Sequence, residues 1–270
     1  MKSTEDVKKY WDSRPCNASS SKKEKLSKEY FEETEIKKYI TEPHIPEFAE
    51  FSKWSGKKVL EIGCGIGVDT VSFAKYGAQV TAVELSEESL KLARKRAELH
   101  GFKDKIRFYS GNAEELSKFV PIEKYDLIYS FGVIHHSETP EKILGEIKKY
   151  MHEKSILKIM IYYKYGFPAL RLFIKKGHTV LWNYSKFLEK FHVGEKGCPI
   201  VKKYSRKSAK ILFKDFKIKR ISVDHIFIYE RKKVKEGIYK KIWYLRMIPK
   251  YAFKKLEKII GWHLLIEAGI

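Results

Sequence analysis

The sequence predicts a doubly wound α/β fold: a mostly parallel, seven-stranded sheet with helices on both faces, an N-terminal helical lid and C-terminal helical insertions. Three observations predict it. Short β-rich runs alternate with helix-forming segments between residues 57 and 163, at spacings that suit right-handed crossovers. Glycines cluster in VLEIGCGIGVDT (59–70), where the first strand meets the first helix. Acidic or amide residues stand at successive strand ends, the place where an open α/β sheet holds its ligand.

Residues 1–50 form a polar helical lead-in. Within it YFEETEIKKYI reads as a helix, and TEPHIPEF (41–48), with two prolines, as an ordered connection. KKVLEIG (57–63) is the first strand, and VDTVSFAKYG a short helix stopped by Gly77. AQVTAVEL (78–85) is the second strand. Ser86 is placed to cap SEESLKLARKRAELHG, and Gly101 to stop it. KIRFYSGN (105–112) is the third strand, followed by a short helix near Glu114; YDLIYSFGV (125–133) is the fourth. Thr139 and Pro140 take the N-cap and first position of the helix EKILGEIKKYM. SILKIMIYY (155–163) is the fifth strand and ends a core that spans 51–165.

The remainder, 166–270, reads as a basic part that completes the sheet and the ligand pocket at its edge. It holds helical stretches at 168–191 and 204–216 and a strand at 217–230. A basic, aromatic helical stretch at 240–260 is broken by Pro249, and GWHLLIEAGI is a last strand. At least one of these two extra strands is expected to be antiparallel.

Charge divides the chain. The net charge is +21, yet residues 151–270 carry 29 Lys+Arg against 9 Asp+Glu, and residues 1–150 carry 26 against 25. Three cysteines at wide spacing, Cys16, Cys64 and Cys198, offer neither a disulfide framework nor a zinc pattern and suggest a reducing cytoplasm. The polar N-terminus does not read as a signal peptide, and the longest apolar runs carry lysines and fall short of a bilayer span. Gln occurs once and Asn three times amid abundant Lys and Glu, a thermophile-like composition in which some charge serves stability.

The glycine run has the form Glu61-x-Gly63-x-Gly65-x-Gly67. A dinucleotide fingerprint places its third glycine one position later and has no preceding acid. A strand carboxylate suits a ligand carrying an ammonium and a sulfonium, as S-adenosylmethionine (SAM) does. Glu84, 17 residues after Gly67, can accept both hydroxyls of a ribose. Asn112 in GNAEEL stands where an amide meets an adenine edge.

EIGCGIG, VELS, GNAEEL and YDLIYSFGVIHH together resemble the class I SAM-dependent methyltransferases, and more narrowly their small-molecule branch, which includes the quinone-biosynthesis C-methyltransferases. The resemblance covers roughly residues 57–163. It implies binding of SAM by Glu61, Gly63, Gly65, Gly67, Glu84, Leu85, Asn112, Ala113 and Phe131, with S-adenosylhomocysteine as product. KKYWDSRPCN (8–17) is similar to the N-terminal segment that lids the cofactor in such enzymes, where Arg14 could pair with the SAM carboxylate.

The segment YSFGVIHHSETP (129–140) then borders both cofactor and acceptor. Its paired histidines, His135 and His136, are not expected to hold a metal. Adjacent residues on an extended end point to opposite sides, and no nearby Cys, His or carboxylate completes a ligand set. Either imidazole could serve as a general base, while the other packs or holds the turn. Tyr163, with Tyr162 and Tyr165 beside it, is a third candidate, placed to hold an acceptor against an aromatic face.

The basic half admits two partners. For nucleic acid, the Asn/Asp-Pro-Pro-Tyr/Phe pattern of base amino-methylation is missing after strand four, and neither Cys64 nor Cys16 is placed for cytosine chemistry. An RNA methyltransferase is therefore the second reading, and a non-catalytic SAM-binding protein the third. KKIWYLRMIPKYAFKKLEKII instead has the composition of an interfacial helix, which suits a lipid-like acceptor and peripheral contact with an anionic inner membrane face. The expectation is a cytoplasmic enzyme that moves a methyl group to a small-molecule or lipid-like acceptor by direct displacement.

Overall fold

A computed structural model describes residues 3–176, 179, 182–190 and 197–270. Seven strands form one sheet: β1 Lys58–Ile62, β2 Gln79–Glu84, β3 Ile106–Ser110, β4 Tyr125–Phe131, β5 Met151–Tyr162, β6 Lys217–Asp224 and β7 His263–Gly269. Their order is β3-β2-β1-β4-β5-β7-β6. The pairings among β1 to β5 are parallel, and β7 runs antiparallel to both β5 and β6. The strand order reverses between β1 and β4, so a crevice opens at their carboxyl ends. The two strands supplied by the basic part complete the sheet as expected.

Strand alternation divides the core into two layers. Val59, Ala82, Leu127, Tyr129 and Met160 pack on one face of the sheet. Leu60, Ile62, Val83, Ile128 and Ile159 pack on the other. Both faces are covered, which is why the parallel strands read as nearly continuous apolar runs.

Three helices precede the sheet: α1 Thr4–Ser13, α2 Lys28–Thr41 and α3 His44–Ala49. The segment 41–48, expected as a connection, instead supplies most of α3, because Pro43 sits at its N-cap and Pro46 within its first turn, where a missing N–H costs nothing. The crossovers are α4 Val68–Lys75, α5 Glu87–Leu99 and α6 Pro140–Lys149. Ser86 caps α5 by accepting from the Ser89 N–H. Thr139 is the N-cap of α6 without a side-chain cap, because its hydroxyl donates to Glu114 at 2.6 Å instead.

The basic part adds α7 Phe167–Lys176, α8 Tyr184–Lys190, α9 Arg206–Leu212, α10 Arg231–Lys235, α11 Trp243–Arg246 and α12 Lys250–Ile260. Position 191, the end of the expected 168–191 stretch, lies outside the described residues, as do 177, 178, 180 and 181. The strand expected over 217–230 stops at Asp224. His225 turns the chain with φ 68°, and Asp224 accepts the His225 N–H through its own side chain, which ends the ladder. β5 begins at Met151, four residues before the expected Ser155.

Candidate functional site

The glycine turn forms because side chains are excluded from it. Gly63 has φ 77°, and a Cβ there would meet Val133 Cγ2 at 2.2 Å, so β4's following loop lies directly on the turn. The Gly63 and Cys64 N–H groups donate to the Val83 carbonyl at 2.7 and 3.0 Å, which locks the turn to β2. A cavity of about 160 Å³ opens over it.

Acids line this cavity. Glu61 is buried and accepts from Thr70 Oγ1 at 2.5 Å; burial, with Asp69 nearby, pushes its carboxyl up to about 8. Glu84 accepts from the Gly65 N–H at 2.8 Å and the Ser86 N–H at 2.9 Å; burial raises its carboxyl, and those N–H groups partly oppose the rise. Asp69, also buried, accepts from Lys38 Nζ at 2.7 Å and from the hydroxyls of Tyr39 and Tyr129 at 3.0 and 3.1 Å. Three buried carboxyls thus face one wall lysine, a balance that suits a cationic ligand.

Of the residues expected to hold the cofactor, Glu61, Gly63, Gly65, Glu84, Leu85, Asn112, Ala113 and Phe131 line the cavity. Gly67 lies outside the lining. It takes φ 75° at the N-cap of α4, and a Cβ there would approach Ala93 Cβ of α5 at 3.0 Å, so its glycine serves helix packing. Arg14 is the exposed C-cap of α1 and lies outside the lining as well. The lead-in does cover the cavity, through Thr4, Val7, Trp11, Cys16 and Asn17. Its cation at the wall is Lys38 of α2, which local sequence could not single out in so lysine-rich a chain. Asp69 was not singled out either, although it stands two residues after Gly67.

The paired histidines separate. Ile134–His136 is a single 3₁₀ turn that sends the two rings different ways. His135 is fully buried against Tyr162, with ring centroids 3.9 Å apart, and neither nitrogen has a hydrogen-bond partner among the described residues. His136 lines the cavity, and its Nδ1 donates to the Ile200 carbonyl at 2.7 Å. That bond leaves Nε2 as the unprotonated nitrogen, with no partner among the described residues. Burial lowers the His136 pKa to about 4, against the weaker pull of the Ile200 carbonyl. Tyr163 faces the other layer: it bridges to Tyr204, packs in the second core and lines none of the cavities, because neighbours on β5 point to opposite sides. Tyr162 is the tyrosine on the cavity side.

Two further cavities adjoin. One of about 350 Å³ shares Trp11, Asn17, Lys38, Phe131, Gly132 and His136 with the first. Another of about 780 Å³ shares Tyr162, Phe227 and Tyr229 with the second, and is walled by Phe167, Leu172, Trp243 and Trp262.

Residues 53–181 match the family model described as a methyltransferase domain. Over these residues the chain is similar to a methyltransferase domain. The domain is 38% identical over 92 residues to a ubiquinone biosynthesis O-methyltransferase of Bordetella parapertussis, covering 33% of this chain and 36% of that protein. It is 35% identical over 98 residues to the mitochondrial ubiquinone biosynthesis O-methyltransferase of Schizosaccharomyces pombe, covering 36% of this chain and 35% of that one. The chain thus spans about a third of the length of these curated relatives.

Solved structures extend the likeness in fold beyond the domain. Magnesium protoporphyrin IX methyltransferase from Synechocystis PCC 6803, with bound S-adenosylhomocysteine, superposes with a TM-score of 0.61 at 14% identity, over 98% of this chain and 99% of that one. Geranyl diphosphate C-methyltransferase from Streptomyces coelicolor A3(2) gives 0.58 at 15% identity, over 98% and 97%. The methyltransferase-domain sheet and its added antiparallel pair therefore form one known architecture.

Proposed function

We propose that the chain is a SAM-dependent methyltransferase that passes a methyl group to a small-molecule or lipid-like acceptor. The observation that carries this reading is the shared wall: Phe131, Gly132 and His136 separate the acid-lined cavity over the glycine turn from the adjoining cavity. A donor on one side and an acceptor on the other would meet there, and alignment is most of what a displacement at a sulfonium methyl requires.

The acid-rich lining fits SAM. Glu61 and Asp69 would face its ammonium group, Lys38 its carboxylate, Glu84 its ribose hydroxyls, and Asn112 its adenine edge. Bound there, SAM supplies an electrophilic methyl on sulfur, and S-adenosylhomocysteine is what remains. His136 keeps Nε2 free to take a proton from the acceptor, since its Nδ1–H is held by Ile200. Trp11, 5.5 Å edge-to-face from His136, helps exclude water from that wall.

The named relatives and neighbours act on quinone precursors, a porphyrin and a prenyl diphosphate by their names, which favours a small molecule over RNA. Aromatic walls in the cavity of about 780 Å³ favour an acceptor with an apolar tail, drawn from an anionic membrane face by a cytoplasmic enzyme. Calorimetry with SAM tests the cofactor assignment. Binding should be tight for the wild type and lost in Glu84→Ala; equal affinity in the variant would sink the reading. A radiolabelled-methyl screen over lysate fractions then identifies the acceptor class.

A further inference from the structure

Three residues that the methyl donor would not use converge on the acceptor side. Glu42 is the C-cap of α2, His44 opens α3, and His263 opens β7. His44 Nε2 and His263 Nδ1 lie 2.8 Å apart with both rings buried. Glu42 Oε1 lies 3.8 Å from His263 Nε2. One ligand atom from each residue falls within 4.8 Å of the others. Glu42 and His263 also line the second cavity, and His263 meets Phe131 edge-on at 5.4 Å, next to the wall shared with the donor cavity.

We propose that Glu42, His44 and His263 bind a divalent transition-metal ion whose open positions face the acceptor cavity and take an acceptor oxygen. This rests on the methyltransferase reading and narrows it to oxygen acceptors.

The spacing admits an ion in place of the hydrogen bond that the two rings share, with one nitrogen of His263 as its ligand. Two nitrogens bound at about 2.0–2.1 Å and set at right angles stand roughly 3 Å apart. The 2.8 Å between His44 and His263 is close to that. His44 Nδ1 and His225 Nε2 are buried ring nitrogens without a hydrogen-bond partner among the described residues, so the cluster is incomplete as a network of protein groups alone. His225 lies flat on His44, centroids 4.5 Å apart and planes at 17°, and fixes its ring. It does so from a left-handed backbone, φ 68°, a strain that a functional position can retain.

Two imidazoles and one carboxylate suit Zn²⁺, Co²⁺, Fe²⁺ or Mn²⁺ better than Mg²⁺. An ion held by Glu42, His44 and His263 would supply Lewis-acid polarisation of an acceptor hydroxyl, and His136, on the wall of the same cavity, would take up the proton while the electron pair stays on oxygen. The new O–CH₃ bond would then form as the S–CH₃ bond breaks, and the proton would pass from His136 to solvent. The three ligands lie far apart in sequence, at positions 42, 44 and 263, which is why no spacing motif announces them.

The test uses the full chain, stripped with a chelator and titrated with Co²⁺, read by visible d–d absorption and by metal stoichiometry. One equivalent should bind to the wild type. Glu42→Gln and His263→Gln should each weaken it by at least about tenfold, the loss usual even for an outer-shell partner. Absence of a stoichiometric ion, or unchanged uptake by the variants, would overturn the site. If His263→Gln fails to fold, Glu42→Gln at a partly exposed helix end decides. SAM calorimetry on the same samples separates the two readings: wild type that binds SAM without metal loses only this proposal, and wild type that fails to bind SAM loses the methyltransferase reading.

Discussion

Lys38 of α2 and Asp69 of α4 form a buried ion pair, Nζ 2.7 Å from Oδ1, that joins the N-terminal lead-in to the helix leaving the glycine turn. Burial opposes the lysine's charge, but the Asp69 carboxylate outweighs it and raises the Lys38 pKa. Removing the lysine would leave a carboxylate buried beside Glu61. Lys38→Met should therefore cost about 3 kcal/mol, the lower end for breaking a buried pair, because Tyr39 and Tyr129 still donate to Asp69. Urea denaturation checks the stability, and calorimetry should show SAM affinity falling in the same variant.

The two adjacent histidines should respond oppositely to the same substitution. His135→Phe removes two unpartnered buried nitrogens from a contact with Tyr162 and should leave both stability and methyl transfer close to wild type. His136→Phe removes the free Nε2 and should lower kcat by about 10²–10⁴ if the base carries the proton. With its pKa near 4, His136 is already unprotonated at neutral pH, so the wild-type rate should show no limb near 6.5 and should fall only as pH approaches 4. A limb at 6.5 that disappears in His136→Phe would contradict this assignment.

The alternation of strands and helices in the core and most of the lining of the cavity over the glycine turn were legible because they rest on local chemistry. EIGCGIG needs glycines for its turn, and Glu84 needs only to end β2. What stayed illegible depends on contacts between distant segments. Gly67 looked like a third ligand-facing glycine, but Ala93 of α5 is what its missing side chain accommodates. The side each ring takes at His135-His136 follows from a 3₁₀ turn and from the Ile200 carbonyl 64 residues on. Arg14 had the right charge in the right segment, whereas the cation at the wall came from a helix 24 positions further along, in Lys38.

Glu61 should make the cofactor-free protein less stable in alkali. Its carboxyl titrates near 8 in the fold and at 4.5 when unfolded, so the native state holds a proton that the unfolded chain has lost. The contribution is full below pH 4.5 and is lost as pH rises through 8, with a slope of up to about 1.4 kcal/mol per pH unit. Glu61→Gln keeps an acceptor for Thr70 and removes the titration. Its urea midpoint should exceed wild type at pH 9 while SAM affinity drops, a trade of stability against function.

Gly63→Ala combines two costs, a left-handed φ of 77° and a Cβ driven into Val133. The first is worth about 1–2 kcal/mol and the second about 1–3. Val133→Ala in the same chain should recover the overpacking part and leave the backbone part. A double-mutant cycle in thermal denaturation would therefore show a favourable coupling of about 1 kcal/mol or more, and strict additivity would mean that the loop after β4 yields freely.

The basic part should carry the protein onto anionic membranes. Trp243, Met247 and Tyr251 are 72%, 75% and 72% exposed on α11 and α12 and the turn between them. Arg246, Lys250, Lys254 and Lys255 stand among them in sequence, and Arg171, Lys175 and Trp243 line the cavity of about 780 Å³. Exposed apolar side chains interspersed with cations suit the interface of an acidic bilayer, at about 1 kcal/mol per lysine or arginine near the surface. Flotation with phosphatidylglycerol vesicles should recover the wild type at low salt and release it at high salt, where surface charge is screened. Trp243→Ser with Met247→Ser should weaken recovery at all salt concentrations, because it removes the apolar share and leaves the charge. Neutral vesicles should recover neither protein; equal binding to neutral and acidic vesicles would mean that the positive charge of this part has another purpose.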